Sequence, residues 1–262
     1  MTRYSRLLWT QLRASLLLTM QYRADFLLNI VLALIGTASA LVPLGVLFSR
    51  RTSVAGWTWA EALVVVAWFN VLRGVLDSVV QPSLQAVVEH IRKGTLDFVL
   101  MKPADAQFLL STAHFELREL ATSVAGLGIL GYALAELGRV PSMAAIAATA
   151  LLLACAIAIL YSIWIMVVSL AFVFVKVDNL SYLFLSIYDA ARWPSSVFRG
   201  IFAVIFTFVL PLALMTTYPA LAILGRLAPE RMLGALAAAV GFFAVSRATW
   251  VRCVRRYTSA GG

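Results

Sequence analysis

Charge is what this chain has least of. Of its 262 residues 13% are charged, only 12 are acidic and two are histidines. So few carboxylates and imidazoles leave little material for acid–base or metal chemistry. Neither His90 nor His114 has a cysteine or a second histidine at ligand spacing, and both read as solvated loop residues. Cys155 and Cys253 fall in different apolar segments, so no disulfide is expected. No Gly-Lys pair occurs, which excludes the phosphate-cradling G-x-x-x-x-G-K-[ST] loop; His-Glu-x-x-His and G-x-S-x-G are absent too. No metal or cofactor site is expected on this chain.

What fills the space instead is hydrocarbon. The chain is 62% hydrophobic with a mean hydropathy of +0.92. Several runs exceed the roughly 18 apolar residues that mark a bilayer span. Residues 1–262 therefore read as one all-α membrane domain. The net charge of +9 is spread singly over span ends without a basic stripe, so anionic lipid headgroups are the expected partner and nucleic acid is not. Arg3, Arg6 and Arg13 precede no small-residue cleavage site; no cleavable signal peptide is expected.

Residues 3–22 set arginines against Leu7, Leu8, Leu12, Leu16 and Leu17, the pattern of an amphipathic helix lying on the membrane surface. Six spans follow, at about 26–48, 60–80, 117–137, 143–173, 196–216 and 233–249. Trp57 and Trp59 stand where an interfacial aromatic belt is expected. The fourth span is longer than the bilayer core and must tilt or protrude. Residues 218–229, bounded by Pro219 and Pro229, are too short to span and too apolar to float free, so they are expected to re-enter the membrane. With these spans, fifteen Lys and Arg residues fall on the side holding both termini and loop 81–116, and five on the other. Both termini and the long loop are thereby assigned to the cytoplasm.

Loop 81–116 is the longest interruption of apolar character. Leu84, Val87, Val88 and Ile91 share one helix face, with Gln85, Glu89, Arg92 and Lys93 opposite. Gly94 is a natural left-handed stop after the basic last turn. Thr95, Leu96, Asp97, Phe98, Leu100 and Met101 form a second short piece, closed by Lys102-Pro103. The whole has the shape of a handle for a soluble partner.

In the second span Asn70, Arg73 and Asp77 share a face. They read either as lining or interface positions on a translocation path, or as an Arg73–Asp77 pair snorkelling to the nearby surface. Gly126, Gly128 and Gly131, and Gly234, Ala237, Ala238 and Gly241, supply small faces for helix packing. Asp77, Glu61 and Glu136 lie near span ends and Pro211 alone is read as interrupting a span, little equipment for an ion-coupled carrier. A lipid-handling enzyme would have to draw on Asp178, Asp189 and Arg192.

The arrangement resembles the ABC-2 type permeases, the membrane subunits of bacterial ATP-binding cassette exporters. Arg92-Lys93-Gly94-Thr95-Leu96-Asp97-Phe98-Val99-Leu100 with Lys102-Pro103 is similar to the cytoplasmic-loop motif of one bacterial branch. Arg192-Trp193-Pro194, Tyr218-Pro219-Ala220 and the ending from Arg255 to Gly261 also match its pattern. The resemblance implies a six-span, ABC-2 exporter-type fold with an interfacial helix at 3–22. It implies a coupling helix at roughly Leu84–Lys102 and a re-entrant element at 218–229. It implies a second permease subunit, identical or sister, and a separate ATPase subunit that carries the ATP and Mg. The expected location is the bacterial cytoplasmic (inner) membrane. An ion-coupled carrier and a membrane-embedded lipid-handling enzyme are the alternatives.

Overall fold

The computed structural model describes residues 3–21, 23–172, 178–198, 200–206 and 211–257. Expectations that fall on Tyr22, Val173, Lys176, Arg199, residues 207–210 and the ending from Thr258 lie outside the described residues. Among the described residues the chain is helical, with no β-strand. The helices are α1 (Arg3–Gln21), α2 (Arg23–Ser49), α3 (Trp59–Val75), α4 (Gln81–Arg92), α5 (Asp97–Leu100) and α6 (Ala106–Ser111). They continue with α7 (Leu120–Glu136), α8 (Met143–Ser169), α9 (Asp178–Tyr188), α10 (Ile201–Val204), α11 (Tyr218–Ile223) and α12 (Pro229–Arg255). Among the described residues four stretches are long and apolar enough to cross a membrane: Ala24–Ser49, Trp59–Arg92, Met143–Phe172 and Pro229–Arg255. At 17 residues α7 falls just short, with one 3-10 turn, Leu117–Glu119, before it.

α3 is the axis of the bundle. Val64, Val65, Ala67 and Leu72 have no exposed surface, and apart from Glu61, Asn70 and Arg73 every residue of the helix is apolar, as a largely enclosed helix requires. Its start is fixed by a capping box. The Thr58 hydroxyl accepts from the Glu61 N–H while the Glu61 carboxylate accepts from the Thr58 N–H. Against it lies α7, and the approach is close because two glycines leave room. A Cβ on Gly126 would stand 2.8 Å from the Ala67 carbonyl oxygen, and one on Gly74 would collide with Ser123. The Ser123 hydroxyl donates to the Val71 carbonyl across that contact. Gly128, Gly131, Gly234 and Gly241 face open space, so of the small faces read from the sequence Gly126 and Ala238 pack within this chain while those four glycines do not.

The chain does not leave this axis at residue 80, where the sequence put a span end. α3 continues through a π-turn, Leu76–Val80, directly into α4, giving 34 helical residues and about 50 Å. Pro82 explains the turn. It has no N–H to offer the Ser78 carbonyl four residues back, and the Gln81 N–H reaches the Leu76 carbonyl instead. The freed Ser78 carbonyl accepts from the Glu116 N–H at 2.9 Å.

The expected span at 196–216 is corrected. A 21-residue helix would set its ends about 30 Å apart, yet the Ser195 N–H donates to the Thr217 hydroxyl at 3.1 Å. The segment is an excursion that returns to its origin. Gly200, at φ 61, breaks the backbone at its start. Ile201–Phe206 leads away, and Ala213–Thr217, a second π-turn before a proline (Pro219), runs straight into α11 on the way back. Residues 218–223, expected as part of a separate element, are therefore the returning limb. Pro211 is thus not a break within a spanning helix, whereas Pro43 does lie inside one, α2.

Trp57 is also not a belt residue. It is buried, and its indole N–H donates to the Ser196 hydroxyl at 3.2 Å, while Trp59 packs edge-on against Phe48. Ser196 thus sits beside the 50–58 turn, at the end of the bundle opposite loop 81–116, rather than on the loop's side. These are called the far end and the loop end below.

Candidate functional site

The loop end is built on α4, which is straight and amphipathic as its spacing predicts. Its apolar face, however, is already taken. Leu84 and Val87 are fully enclosed and Val88 nearly so, in one cluster with Ile159, Ile163, Trp164 and Val168 of α8. Burying side chains of this size stabilises by roughly 1.5–3 kcal/mol each relative to water, so uncovering this face would cost several such terms. Ile91 and Leu100 pack on the same cluster. Gly94 takes φ 65, the left-handed stop expected of it. Thr95 closes the turn, its N–H on the His90 carbonyl and its hydroxyl 2.7 Å from His90 Nδ1. His90 is thereby a bonded, half-buried helix residue rather than a solvated one. His114 is exposed as expected, and its backbone bonds the Ser83 hydroxyl.

Past Gly94 the faces alternate sharply. Leu96 and Val99 turn inward, 0% and 8% exposed, while Phe98 and Met101 turn outward at 65% and 72%. Arg92, Lys93 and Lys102, which flank them in sequence, are exposed as well. Glu89 pairs with both Arg92, at 3.3 Å, and Lys93, at 3.0 Å. What stands free on this tip is therefore an apolar knob flanked in sequence by basic residues, not the α4 face. The i, i+3 spacing of Phe98 and Met101 was the available sequence signal for it.

Behind the knob, the loop is tied to two long helices. Asp105 caps α6 by accepting from the Phe108 N–H at 3.0 Å, and it pairs with Arg247 of α12. The same guanidinium donates to Gln107 Oε1 at 2.7 Å. Gln107 Nε2 donates to the Tyr161 hydroxyl of α8 at 3.0 Å, and Ser111 lies 2.8 Å from that hydroxyl. Burial alone would push the Asp105 carboxyl up, but the hydrogen bonds from Arg247 and the Phe108 N–H, with the Arg247 charge, hold it below the usual range. On the other flank α1 joins the loop through a Tyr4–Phe108 ring contact and a bond from the Phe115 N–H to the Ser15 hydroxyl. Asp105, Gln107, Tyr161 and Arg247 escape sequence reading because their partners lie 54 to 142 residues away. Only the N-cap Asp105 left a local mark.

Asn70, Arg73 and Asp77 lie on one face, as predicted, but they are parts of a larger layer. Arg73 Nε bonds Asp77 at 2.6 Å and its Nη1 reaches Asp189 at 3.2 Å; Arg192 also pairs with Asp189, at 3.3 Å. The Arg192 guanidinium stands 5.3 Å from the centre of the Phe69 ring. Two cations and two carboxylates neutralise one another, which is how a low-dielectric site tolerates them. Asn70 donates to the Val66 carbonyl, and its carbonyl faces the Thr37 hydroxyl of α2 at 3.5 Å. The layer stitches α3 to α2 and to the 189–192 turn. Asp189 and Arg192, two of the three residues an enzyme would have to draw on, are engaged in these ion pairs. Among the described residues no group of His, Cys, Asp or Glu is arranged to hold a metal, and both cysteines are free.

A family model described as ABC-2 family transporter protein matches residues 34–261, a span that includes the tip, its ties and the ionic layer. No curated protein and no solved structure matches the chain. A match over most of the sequence, on a bundle of long apolar helices, makes this a multi-pass membrane protein with a permease-type role: the chain belongs to the ABC-2 family of transporter proteins.

Proposed function

We propose that this chain is the membrane subunit of a bacterial ATP-binding cassette exporter, driven by a separate ATPase subunit that binds the ATP and Mg. The observation that carries the reading is the exposed Phe98–Met101 knob, held rigid by the buried Leu96 and Val99 and flanked in sequence by exposed basic residues. An apolar anchor with a polar rim is the anatomy of a protein contact. Closure of the ATPase pushes on the knob. The Asp105–Arg247 and Gln107–Tyr161 ties carry the displacement to α12 and α8. The Glu116–Ser78 bond carries it to the proline-made turn in the 59–92 helix.

In this reading there are six crossings with both termini in the cytoplasm of the inner membrane. The fifth crossing is the segment from α9 to Ser195, because 196–216 returns to the far end. The 196–223 excursion is the re-entrant element. A second permease subunit, identical or sister, completes the path, and α1, with Trp9, Leu16, Leu17 and Met20 uncovered, lies on the lipid surface.

The test is a Phe98→Asp, Met101→Asp double variant, purified in mild detergent with its companions. The expected result is normal membrane insertion with loss of the copurifying ATPase, or ATP hydrolysis no longer linked to export. Full export by this variant, or labelling that places residues 84–102 outside the cell, would overturn the proposal.

A further inference from the structure

At the far end, a cleft of about 250 Å³ opens between the 50–58 turn, the Ser195–Ser196 turn, α11 and the start of α12. We infer that this cleft is a binding site for a phosphate oxyanion, its natural occupant being the headgroup of an anionic phospholipid. Arg226 and Arg231 both line it, together with Ser195, Thr217 and Tyr218. On a face that carries few basic residues, two of them converging on one hollow is a concentration of charge.

Arg226 is oriented rather than loose. Its Nη1 donates to Glu61 Oε1 at 2.7 Å, and that carboxylate is 5% exposed, with Oε2 occupied by the Thr58 N–H. Glu61 therefore fixes the guanidinium from beneath, leaving the other N–H groups of the planar fork for the cleft. The carboxylate cancels one positive charge, and Arg231 supplies the surplus. Among the described residues no carboxylate lies within ion-pair distance of Arg231, which is exposed. The Thr217 hydroxyl accepts from the Ser195 N–H, so its own proton remains to be donated.

An arginine fork with adjacent hydroxyl donors is the chemistry that recognises phosphate oxygens. Trp57 and Leu221 complete the wall with apolar surface suited to the glycerol and first acyl carbons. The turn beside the cleft holds Ala55 at φ 49, a left-handed conformation unusual for alanine, its carbonyl accepting from the Ser196 hydroxyl. Because α3 and α12 both begin here, the cleft lies at the level where a bilayer carries its headgroups. The inference does not depend on the ATPase reading.

The test compares wild type, Arg231→Gln and Arg231→Lys in nanodiscs of phosphatidylglycerol or phosphatidylcholine. Native mass spectrometry counts retained lipid, and melts follow stability. Wild type is expected to retain phosphatidylglycerol about tenfold more strongly than Arg231→Gln, with Arg231→Lys between them. Added inorganic phosphate distinguishes the source. Stabilisation by phosphate in phosphatidylcholine discs, lost in Arg231→Gln, would support the cleft with a free anion as occupant. Equal phosphatidylglycerol retention by wild type and Arg231→Gln, with no phosphate effect on either, would overturn the site. Arg231 is at the surface, so its variants are expected to fold.

Discussion

Each end of this bundle is closed by the same device, an acidic side chain that caps a helix and also receives an arginine from far along the chain. At the far end Glu61 caps α3 and holds Arg226; at the loop end Asp105 caps α6 and holds Arg247. The environments differ. The Glu61 side chain is 5% exposed and that of Asp105 35%, while their arginines are alike at 45% and 42%. A carboxylate removed from water cannot lose its partner cheaply, while a half-hydrated one exchanges it for solvent at little loss. The far-end tie is thus the costlier of the two to break, and the loop-end tie the cheaper.

The sharpest way to break this contrast is to attack the packing beneath the far tie. Gly126→Leu drives a side chain into the α3 backbone at Ala67 and Val71 and is expected to destabilise by about 3 kcal/mol, the upper end for overpacking. Thermal unfolding in detergent would register it as a fall of several degrees. Gly128→Leu, on the open side of the same helix, should leave that melt unchanged; an equal fall for both would show that α7 does not depend on this contact.

Next in size is Glu61→Ala, which removes the carboxylate half of the α3 capping box and strands Arg226, while the Thr58 hydroxyl still caps the helix. A loss of about 2 kcal/mol is expected, tempered because Arg226 is partly hydrated. Glu61→Gln keeps an acceptor for the Thr58 N–H and should lose less. If the two variants melt together, the ion pair rather than the cap dominates.

Smaller still, Asp105→Asn retains the cap on Phe108 and discards the charge. Its expected effect on stability is under about 1 kcal/mol, but export per ATP hydrolysed should fall by far more than the melt does. A variant that exports normally would remove the loop-end tie from the proposed mechanism.

The faintest effect is on pH. The folded Asp105 carboxyl is held below its unfolded value near ~3.9. The stability this contributes is complete above about pH 4 and is lost as the pH falls through the lower folded value. Between pH 7 and 5 the difference in melting between wild type and Asp105→Asn should stay constant, narrowing only in more acid buffer.

Much of this organisation is legible along the chain because its causes are local. Long apolar runs mark α2, α3, α8 and α12, since a helix is the form that satisfies every backbone group in hydrocarbon. The amphipathic α4 and its Gly94 stop are equally local, fixed by 3.6-residue periodicity and by the freedom of glycine at positive φ. The failures have causes too. Residues 196–216 are apolar enough to span but fold back, because Gly200 and two prolines break the helix and Thr217 finds Ser195. Leu84, Val87 and Val88 read as a free face because an amphipathic stripe looks the same whether lipid, a partner or α8 covers it.

By itself, the sequence determined that this is a helical membrane protein that lacks the G-x-x-x-x-G-K-[ST] pattern and breaks its apolar runs for longest at residues 81–116. Those properties follow from composition, hydropathy and missing motifs, none of which needs a partner residue to be known. Tertiary structure alone decided which side of the loop is free, that Arg73 answers to Asp189 as well as Asp77, and that Glu61 meets Arg226 and Asp105 meets Arg247. Side chains 116 to 165 residues apart share a charge or a void only after the helices are packed, and no local pattern encodes who the neighbour will be.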